Sequence, residues 1–427
     1  MISSVTFDQS FCRRTLERVV WRRDFQHVAK AEQNAFRETL LANALQSATG
    51  CFAPSNQLLT SFPLHGKIVY RLIQTPDELV VRKLQMNLKQ CSPAALEGRS
   101  QIVRNLRLLL EEGVPYRVYR LDIRSFFESF DRQHVLHLVN SLCTLSPQSK
   151  LLIAALFKRH ADLGGTGLPR GLALSAALSE LLMRDFDRKV RWANDTFFFA
   201  RYVDDIIIVT SAREIVSDFL KNIQSWLPCG LTLNHQKKSI VDTAGKVSKV
   251  DAPCINRLLA FNYLGYKFDV SNPTKLVARN ISDGKLFRKV IVDITEKKIK
   301  KIKTRIIRSL MDFLKTGDWP LLKDRIVFLT QNFSVYNPKA GGKKVAGIYF
   351  SYPLATLESP GLRNLDSFLR NAVLGKQGRI FARTSTLLTG KRRRELLGYS
   401  FVRGHTDRSF VHFSSQRISN IQKCWTN

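Results

Sequence analysis

The chain has 427 residues, enough for two or three domains with a substantial core, and 44% of them are hydrophobic. Lys and Arg total 67 against 35 Asp and Glu, which gives a formal net charge of +32. This surplus argues against an enzyme of neutral metabolites and favours a polyanionic partner, nucleic acid first and an anionic membrane surface second. No apolar run reaches the length of about 18 residues that a membrane span needs, so we expect no membrane segment.

The predicted elements up to the centre of the chain are helices within residues 11–48, a β-hairpin over Thr60–Pro76, helices within residues 78–112, a strand over Tyr116–Ile123, and helices over Ser125–Leu142, Pro147–His160 and Leu172–Val190. The next elements are predicted to be a hairpin with arms Phe197–Ala200 and Ile206–Thr210, a helix over Ala212–Trp226, a short strand over Leu231–Leu233 and a strand pair over Phe261–Phe268. The central order β-α-α-β-β-α-β is typical of an antiparallel sheet backed by helices in a ferredoxin-like split arrangement. Beyond Pro273 the chain is predicted to be mostly helical.

Charge and cysteine usage add two expectations. Residues 271–427 hold 31 basic and 10 acidic side chains, a net of +21, so this part should supply most of the attraction to a polyanion. The seven cysteines are odd in number and contain no CxxC pair, which argues against a disulfide framework or a zinc site. The N-terminal sequence lacks the layout of a signal peptide, so we expect a cytoplasmic protein.

Two adjacent carboxylates, Asp204 and Asp205, lie between apolar runs that favour β-structure. A buried, unpaired charge is costly, so the pair is expected at a hairpin tip beside a bound cation; a plain polar turn is the alternative. Asp122 ends the strand YRLD, and if that strand pairs beside the hairpin, three carboxylates meet at one sheet edge. Such a cluster suits Mg²⁺, since no imidazole or thiolate lies nearby in sequence, and two ions about 3.5–4 Å apart are the apparatus of phosphoryl transfer.

Five segments then resemble those of a known family. LDIRSFF, GLPRGLALS, YVDD, LNHQKKS and FNYLGYKF occur in the order of motifs A to E of reverse transcriptases, over roughly residues 60–268. The resemblance implies an RNA-directed DNA polymerase with an α/β (α+β) right-hand fold: a ferredoxin-like palm, fingers and a mostly helical thumb. The implied domains are N-terminal helices and fingers (1–115), palm with part of the fingers (116–270) and a basic helical thumb and C-terminal region that binds RNA (271–427).

The resemblance also implies roles for individual residues. Asp122, Asp204 and Asp205 match the catalytic aspartates that hold two Mg²⁺ ions, with the Ile123 carbonyl as a further ligand. The residues implied to bind the incoming nucleotide are Lys67, Arg71, Phe127, Arg170, Gly171 and either Lys237 or Lys238. The residues implied to contact primer or template are Tyr202, Leu264 and Gly265.

Two of these positions carry more specific expectations. Phe127 lies where the family places a ring under the sugar, which leaves no room for a 2′-hydroxyl and favours deoxynucleotides. Motif B departs from the usual pattern, because Arg170 stands where relatives commonly have Gln. Its side chain is expected to reach either the triphosphate or a template phosphate.

The subclass is inferred from features that the sequence lacks. We find no RNase H segment, no Cys/His endonuclease cluster and no VTG tripeptide of the kind retron enzymes usually carry after motif D. The chain is therefore most similar to bacterial defence-associated reverse transcriptases of the abortive-infection and unknown-group classes, and in size to the type 2 class. The resemblance implies antiphage defence by cDNA synthesis on a structured noncoding RNA, with template RNA, DNA primer or product and deoxynucleoside triphosphates as partners.

Three alternatives stay open. The chain resembles retron or intron-related reverse transcriptases as well, though less closely. Some abortive-infection relatives extend DNA without a template or from a protein hydroxyl, which makes a template-independent or protein-primed nucleotidyltransferase the second alternative. The third is a catalytically silent RNA-binding protein, against which the three intact aspartates argue.

Overall fold

A computed structural model describes residues 7–91, 97–243, 257–271, 287–337, 342–356, 359–376 and 378–425. The chain divides into two compact units. The first unit is Met1–Glu97 with Tyr116–Asp242, and the second unit is Gly98–Pro115 with Thr243–Asn427. The three-part division expected from the sequence stays a prediction. Within the described ranges, no helix combines the length and apolar character needed to cross a membrane.

Helices and strands alternate along the chain, so the predicted α+β class is confirmed. The helices are α1 (Arg13–Glu17), α2 (Gln33–Thr49), α3 (Thr75–Cys91), α4 (Arg99–Leu110), α5 (Arg132–Ser141), α6 (Pro147–Asp162), α7 (Ala173–Arg191), α8 (Val216–Trp226), α9 (Glu296–Thr316), α10 (Trp319–Thr330), α11 (Ile348–Ser351), α12 (Pro360–Val373), α13 (Arg379–Leu387), α14 (Gly390–Leu397), α15 (Phe401–Thr406) and α16 (Ser415–Lys423). The strands are β1 (Leu59–Leu64), β2 (Lys67–Leu72), β3 (Arg117–Asp122), β4 (Thr196–Tyr202), β5 (Asp205–Thr210), β6 (Ser239–Asp242), β7 (Arg257–Tyr263), β8 (Tyr266–Ser271), β9 (Lys289–Ile294), β10 (Asn332–Asn337), β11 (Gly342–Gly347) and β12 (Phe410–His412).

The centre of the first unit is a four-stranded sheet of order β4-β5-β3-β6, antiparallel throughout. Two βαβ connections, β3 to β4 and β5 to β6, interleave to give this order, which is the ferredoxin-like arrangement predicted from the sequence. The run Ile206–Val209 is fully buried. This explains why the sequence of β5 is a continuous run of β-branched residues and not an alternation of apolar and polar residues. Helix α7 packs against β4 and α3, and its apolar side chains join one core with β3 and β5.

Three predictions in the first unit are wrong, the simplest being the helix expected from Ala212, which begins at Val216. The helix expected from Ser125 begins only at Arg132, because residues 124–130 form turns and the Asp131 side chain caps the helix by accepting a hydrogen bond from the His134 amide. The strand expected at Leu231–Leu233 is a single bridge between Leu233 and Ile123. The fourth strand is β6 instead, and it pairs with the beginning of β3.

The second unit contains more strand than the sequence indicated. The predicted pair over Phe261–Phe268 forms the β7–β8 hairpin, and β9 adds a third strand to it. Another sheet has the order β11-β10-β12. Helices still predominate after β9, and α9 packs against α10, α12 and α13 through an apolar face that includes Ile306 and Leu310.

Candidate active site

The structure brings the three predicted aspartates together at one end of the central sheet. Asp122, the last residue of β3, is the register partner of Asp205, the first residue of β5. Asp204 precedes Asp205 in the β4–β5 turn, and its carbonyl accepts a hydrogen bond of 3.2 Å from the Ile123 amide. Asp122 is only 7% exposed. Because register partners of an antiparallel pair share a face, the carboxylates of Asp122 and Asp205 lie on the same side of the sheet.

Negative charge is disfavoured at this position. Burial raises the pKa of Asp204, and the Asp122 carboxylate raises it further. Burial also raises the pKa of Asp205, and repulsion by Asp204 adds to it. A cation placed among these groups would lower both pKa values, since an opposite charge stabilises the ionised carboxylate.

Two side chains of the segment after Leu233 bind Asp122. The Asn234 Nδ2 atom donates to Asp122 Oδ2 at 3.0 Å, and the Lys237 ammonium lies 3.0 Å from Asp122 Oδ1. The Asn234 amide also donates to the Asp122 carbonyl at 2.7 Å. Lys238 is exposed to solvent. Of the two lysines that the sequence left open, the structure therefore places Lys237 against the aspartates, together with Asn234, which the sequence analysis missed.

The residues predicted to hold magnesium can be compared with the ligands that this ion prefers. In the part of the chain that the structure describes, no group of three or more His, Cys, Asp or Glu side chains is arranged so that it could hold a metal ion. The chemistry of the donors nevertheless fits a hard divalent cation, because three carboxylates and the Ile123 carbonyl supply oxygen alone. In this structure the Lys237 ammonium forms an ion pair with the Asp122 carboxylate.

The side chain of Arg170 is held beside Phe127 by a carboxylate. Its Nε and Nη2 atoms donate to the two Glu128 oxygens at 2.6 and 3.0 Å, and its guanidinium carbon lies 5.2 Å from the Phe127 ring centroid. Phe127 is half-buried and packs edge-on against Phe126. The pair with Glu128 raises the pKa of Arg170, so the guanidinium stays charged. Glu128 carries no motif signal, and sequence reasoning missed it.

Two glycines let the segment around Arg170 approach its neighbours closely. Gly167 has φ +60°, and a Cβ there would lie 2.3 Å from the Phe127 carbonyl oxygen. Gly171 has φ +104°, and a Cβ there would lie 2.6 Å from the Tyr70 carbonyl oxygen. The Tyr70 amide also donates to the Arg170 carbonyl at 2.7 Å. Gly171 thus serves a backbone contact with β2.

The two predicted basic residues of the β1–β2 hairpin differ in position. Lys67 begins β2, and its Nζ atom lies 3.3 Å from the Ser125 hydroxyl, next to the Asp122–Phe127 segment. Arg71 is exposed farther along β2, opposite Thr60. The structure therefore brings Lys67, and not Arg71, to the segment that carries Asp122.

The predicted primer and template residues lie in two different units. Tyr202 ends β4 in the first unit and is 44% exposed. Leu264 and Gly265 form the β7–β8 turn of the second unit with φ values of +46° and +80°. Positive φ at both turn residues is typical of a type I′ hairpin. Arg99 of α4 supports this turn by donating from Nε to the Leu264 carbonyl at 2.8 Å.

Comparison with known proteins identifies the class of domain. Residues 67–268 match the family model described as reverse transcriptase (RNA-dependent DNA polymerase). The chain therefore contains a reverse transcriptase domain, and the prediction of an RNA-directed DNA polymerase domain is confirmed. Domains of this kind generally use divalent metal ions. A search of curated protein sequences found no significant match.

Several solved structures are similar at low identity. Apo telomerase from Candida tropicalis, truncated from its C-terminal domain, is 13% identical with a TM-score of 0.34, covering 50% of this chain and 53% of that one. Telomerase from Candida albicans in complex with a TWJ fragment of telomeric RNA is 11% identical with a TM-score of 0.33, covering 86% and 61%. Another structure of apo telomerase from Candida tropicalis is 11% identical with a TM-score of 0.36, covering 86% of this chain and 65% of that one. The chain thus spans between about half and two thirds of the length of these structures, and the identification of the reverse transcriptase domain rests on the family model.

Proposed function

We propose that this protein is an RNA-directed DNA polymerase that extends a primer 3′ end with deoxynucleoside triphosphates. The observation that supports this most is the β3–β5 register, which places Asp122 opposite Asp205 and beside Asp204 within a reverse transcriptase domain. Three carboxylates at one sheet edge have little value for stability, because burial and, after it, mutual repulsion raise the pKa values of Asp204 and Asp205. Their convergence is accounted for by phosphoryl transfer chemistry.

The residues that would hold two Mg²⁺ ions are Asp122, Asp204, Asp205 and the Ile123 carbonyl. When bound, such ions activate an attacking hydroxyl and stabilise a leaving pyrophosphate. Lys237 would act as a general acid. Its ammonium lies 3.0 Å from Asp122 and would donate a proton to the leaving group. This contact supports Lys237 rather than Lys238 as the proposed motif D lysine.

The incoming nucleotide would meet three side chains of the first unit. Phe127 would support the sugar and exclude a 2′-hydroxyl. Arg170 would keep the Phe127 ring in place rather than bind the triphosphate, because Glu128 occupies its guanidinium through two hydrogen bonds. Lys67, near Ser125, would supply positive charge to the triphosphate.

The template would be a structured noncoding RNA, copied in the cytoplasm as part of antiphage defence. Support for an RNA partner comes from the net charge of +21 in residues 271–427 and from the exposed basic face of α9. Binding should weaken with salt, with a log–log slope of about −0.7 to −0.9 per phosphate neutralised. The defence role and the type of RNA rest on the sequence resemblance.

The chemistry is tested by incorporation of labelled deoxynucleotides into acid-insoluble product. The purified protein with its copurifying nucleic acid should incorporate label, and RNase digestion beforehand should abolish incorporation. Asp204→Asn should abolish it as well, whereas Asp185→Asn, at an exposed helix position, should not. Full incorporation by Asp204→Asn would show that the proposed metal site is wrong. Label that stays with the denatured protein would indicate protein priming instead.

The template is tested by sequencing the copurifying RNA together with the DNA product. A product complementary to one enriched structured RNA supports the proposal. A product of random or homopolymeric sequence that forms after RNase digestion would support the template-independent alternative.

A further inference from the structure

Arg201 is a buried charge next to the aspartate turn, and it has no role in the function proposed above. It lies in β4, and its side chain is 3% exposed. Its Nε and Nη2 atoms donate to the two Asp187 oxygens at 2.8 and 2.7 Å, and its Nη1 and Nη2 atoms donate to the two Glu180 oxygens at 3.1 and 2.6 Å. The remaining donor, on Nη1, binds the Val203 carbonyl at 3.1 Å. All five N–H groups of the guanidinium are therefore used.

The peptide that Arg201 holds is strained. Tyr202 and Asp205 are register partners, so Val203 and Asp204 form a two-residue hairpin turn. Val203 has φ +61°, a left-handed conformation that is unfavourable for a β-branched side chain and costs roughly 1–3 kcal/mol. Glycine is the usual residue at such a position. Without a partner for its carbonyl, this turn would be expected to relax.

The ion cluster connects this turn to a helix. Glu180 and Asp187 both belong to α7, so the guanidinium fixes the Val203 carbonyl to the helix that packs on β4. A lysine in place of Arg201 would keep the charge, but its three donors lack the planar fork that serves two carboxylates and a carbonyl.

We propose that Arg201 is a positioning residue: it holds the strained Val203–Asp204 turn against α7 and thereby sets the positions of the Asp204 and Asp205 carboxylates. This inference rests on the proposed function. The rival explanation is that the buried ion cluster stabilises the fold and nothing more. The two explanations differ in what happens to turnover when the fold and nucleic-acid binding stay intact.

The first test is the kinetics of Arg201→Lys. We expect kcat for deoxynucleotide incorporation to fall by about tenfold to a hundredfold, with KM within about threefold, because displacing reacting groups by about 1 Å has effects of this size. Arg188→Lys is the matched control, since Arg188 lies on α7 with a 70% exposed side chain. Circular dichroism and template–primer affinity should be unchanged. A wild-type kcat for Arg201→Lys overturns the proposal.

If Arg201→Lys does not fold, a milder substitution tests the same proposal. Asp187→Asn keeps Arg201 and removes the charge of one of its two carboxylate partners. A lower kcat at unchanged template–primer affinity supports the proposal, and a wild-type kcat overturns it.

The second test couples Arg201 to the strain at Val203. Val203→Gly makes the left-handed conformation accessible without strain, so the turn should depend less on Arg201. We expect Arg201→Lys to cost at least about fivefold less in kcat in the Val203→Gly background than in the wild-type background. Equal costs in the two backgrounds would support the purely structural explanation and overturn ours.

The third test needs no enzymatic activity. The Ile123 amide donates to the Asp204 carbonyl, so its hydrogen exchange reports on the position of the turn. Arg201→Lys should raise exchange at Ile123 and at Val203–Asp205 by at least about tenfold and leave the β5 amides from Ile207 onward unchanged. Unchanged exchange in the turn overturns the inference. If the wild-type protein incorporates no nucleotide, the proposed function fails, while this measurement still tests what Arg201 holds.

Discussion

The guanidinium of Arg170 and the carboxylate of Glu128 are joined by two hydrogen bonds of 2.6 and 3.0 Å, and the guanidinium lies against the Phe127 ring. Both partners of this pair are only partly exposed, with side-chain exposures of 26% and 29%. A two-bond pair of this kind fixes orientation as well as distance. The Arg170–Glu128 pair therefore supports the Phe127 ring in its position.

Glu128→Gln should weaken discrimination against ribonucleotides. The amide can accept only one of the two hydrogen bonds, so Arg170 gains freedom and the Phe127 ring loses its support. We expect the ratio of ribonucleotide to deoxynucleotide incorporation to rise by about three- to tenfold, equivalent to about 1 kcal/mol. Competition assays with matched nucleotide pairs would measure this ratio.

Two variants calibrate that measurement. Phe127→Ala should raise the same ratio by more than Glu128→Gln does, because it removes the ring itself. Asp185→Asn, which alters an exposed carboxylate paired with Arg188, should leave the ratio unchanged. A ratio for Glu128→Gln equal to that of the wild type would mean that Arg170 does not support the ring.

Lys237→Ala should slow incorporation more than Lys238→Ala does. Both lysines are exposed, but the Lys237 ammonium lies 3.0 Å from an Asp122 carboxylate oxygen. We expect a loss of about a hundredfold in kcat for Lys237→Ala, at the low end of the usual general-acid effect, and a loss at least about fivefold smaller for Lys238→Ala. Single-turnover rates on a defined template–primer would show the difference, and the reverse order would exclude Lys237 as the proton donor.

The first unit should lose stability in mild acid because of His160. Burial, aided by repulsion from Arg132, lowers the pKa of His160 to about 4. The unfolded chain takes up this proton near pH 6.5, so the free energy of unfolding is highest above pH 6.5 and decreases as the pH falls from 6.5 towards 4. Thermal unfolding midpoints measured across this range should show the decrease.

Substitutions of two histidines separate this effect from general acid sensitivity. His160→Gln should flatten the pH dependence between 4 and 6.5, even if it lowers stability at neutral pH. His134→Gln changes an exposed ring and should leave the slope as in the wild type. Parallel slopes for wild type and His160→Gln would contradict the assignment.

Glu214→Ala should destabilise the central sheet at the end opposite the aspartates. Glu214 has an 8% exposed side chain and accepts hydrogen bonds from Arg117, the Tyr119 hydroxyl and the Thr210 hydroxyl. The substitution leaves Arg117 paired with Asp242 but removes the acceptor of the Tyr119 and Thr210 hydroxyls, and a buried polar group left unsatisfied costs about 1–3 kcal/mol. Denaturant unfolding should show a loss of about this size.

Asp242→Ala is the matched control for Glu214→Ala. Asp242 pairs with the same guanidinium of Arg117, but its side chain is 51% exposed. Exposed pairs contribute only about 0–1 kcal/mol, so this variant should stay close to the wild type. Similar losses for the two variants would show that burial is not what distinguishes these carboxylates.

Much of the candidate site could be predicted because its signals are local. Asp122 at the end of an apolar strand and Asp204–Asp205 between two apolar arms are visible in the sequence, and the hairpin pattern sets their register. The alternation of FNYLGYKF likewise predicted the β7–β8 hairpin. These features depend on neighbours within a few residues.

The interactions that were missed depend on residues far apart in the chain. Glu128 meets Arg170 across 42 positions, and Asn234 meets Asp122 across 112. Nothing in the local sequence distinguishes these polar residues from ordinary surface positions. The error at β6 has a similar origin, because its pairing with β3 is set by tertiary contacts such as the Arg117–Asp242 pair.

The contact between Gly171 and Tyr70 joins the backbone of the β1–β2 hairpin to the backbone of the Arg170 segment. The Tyr70 amide donates a hydrogen bond to the Arg170 carbonyl. Because Gly171 has no Cβ, the two backbones can approach each other closely. A displacement of β2 at Tyr70 would therefore also displace the backbone of Arg170. Because the Arg170 guanidinium lies against the Phe127 ring, such a displacement would also affect the position of that ring.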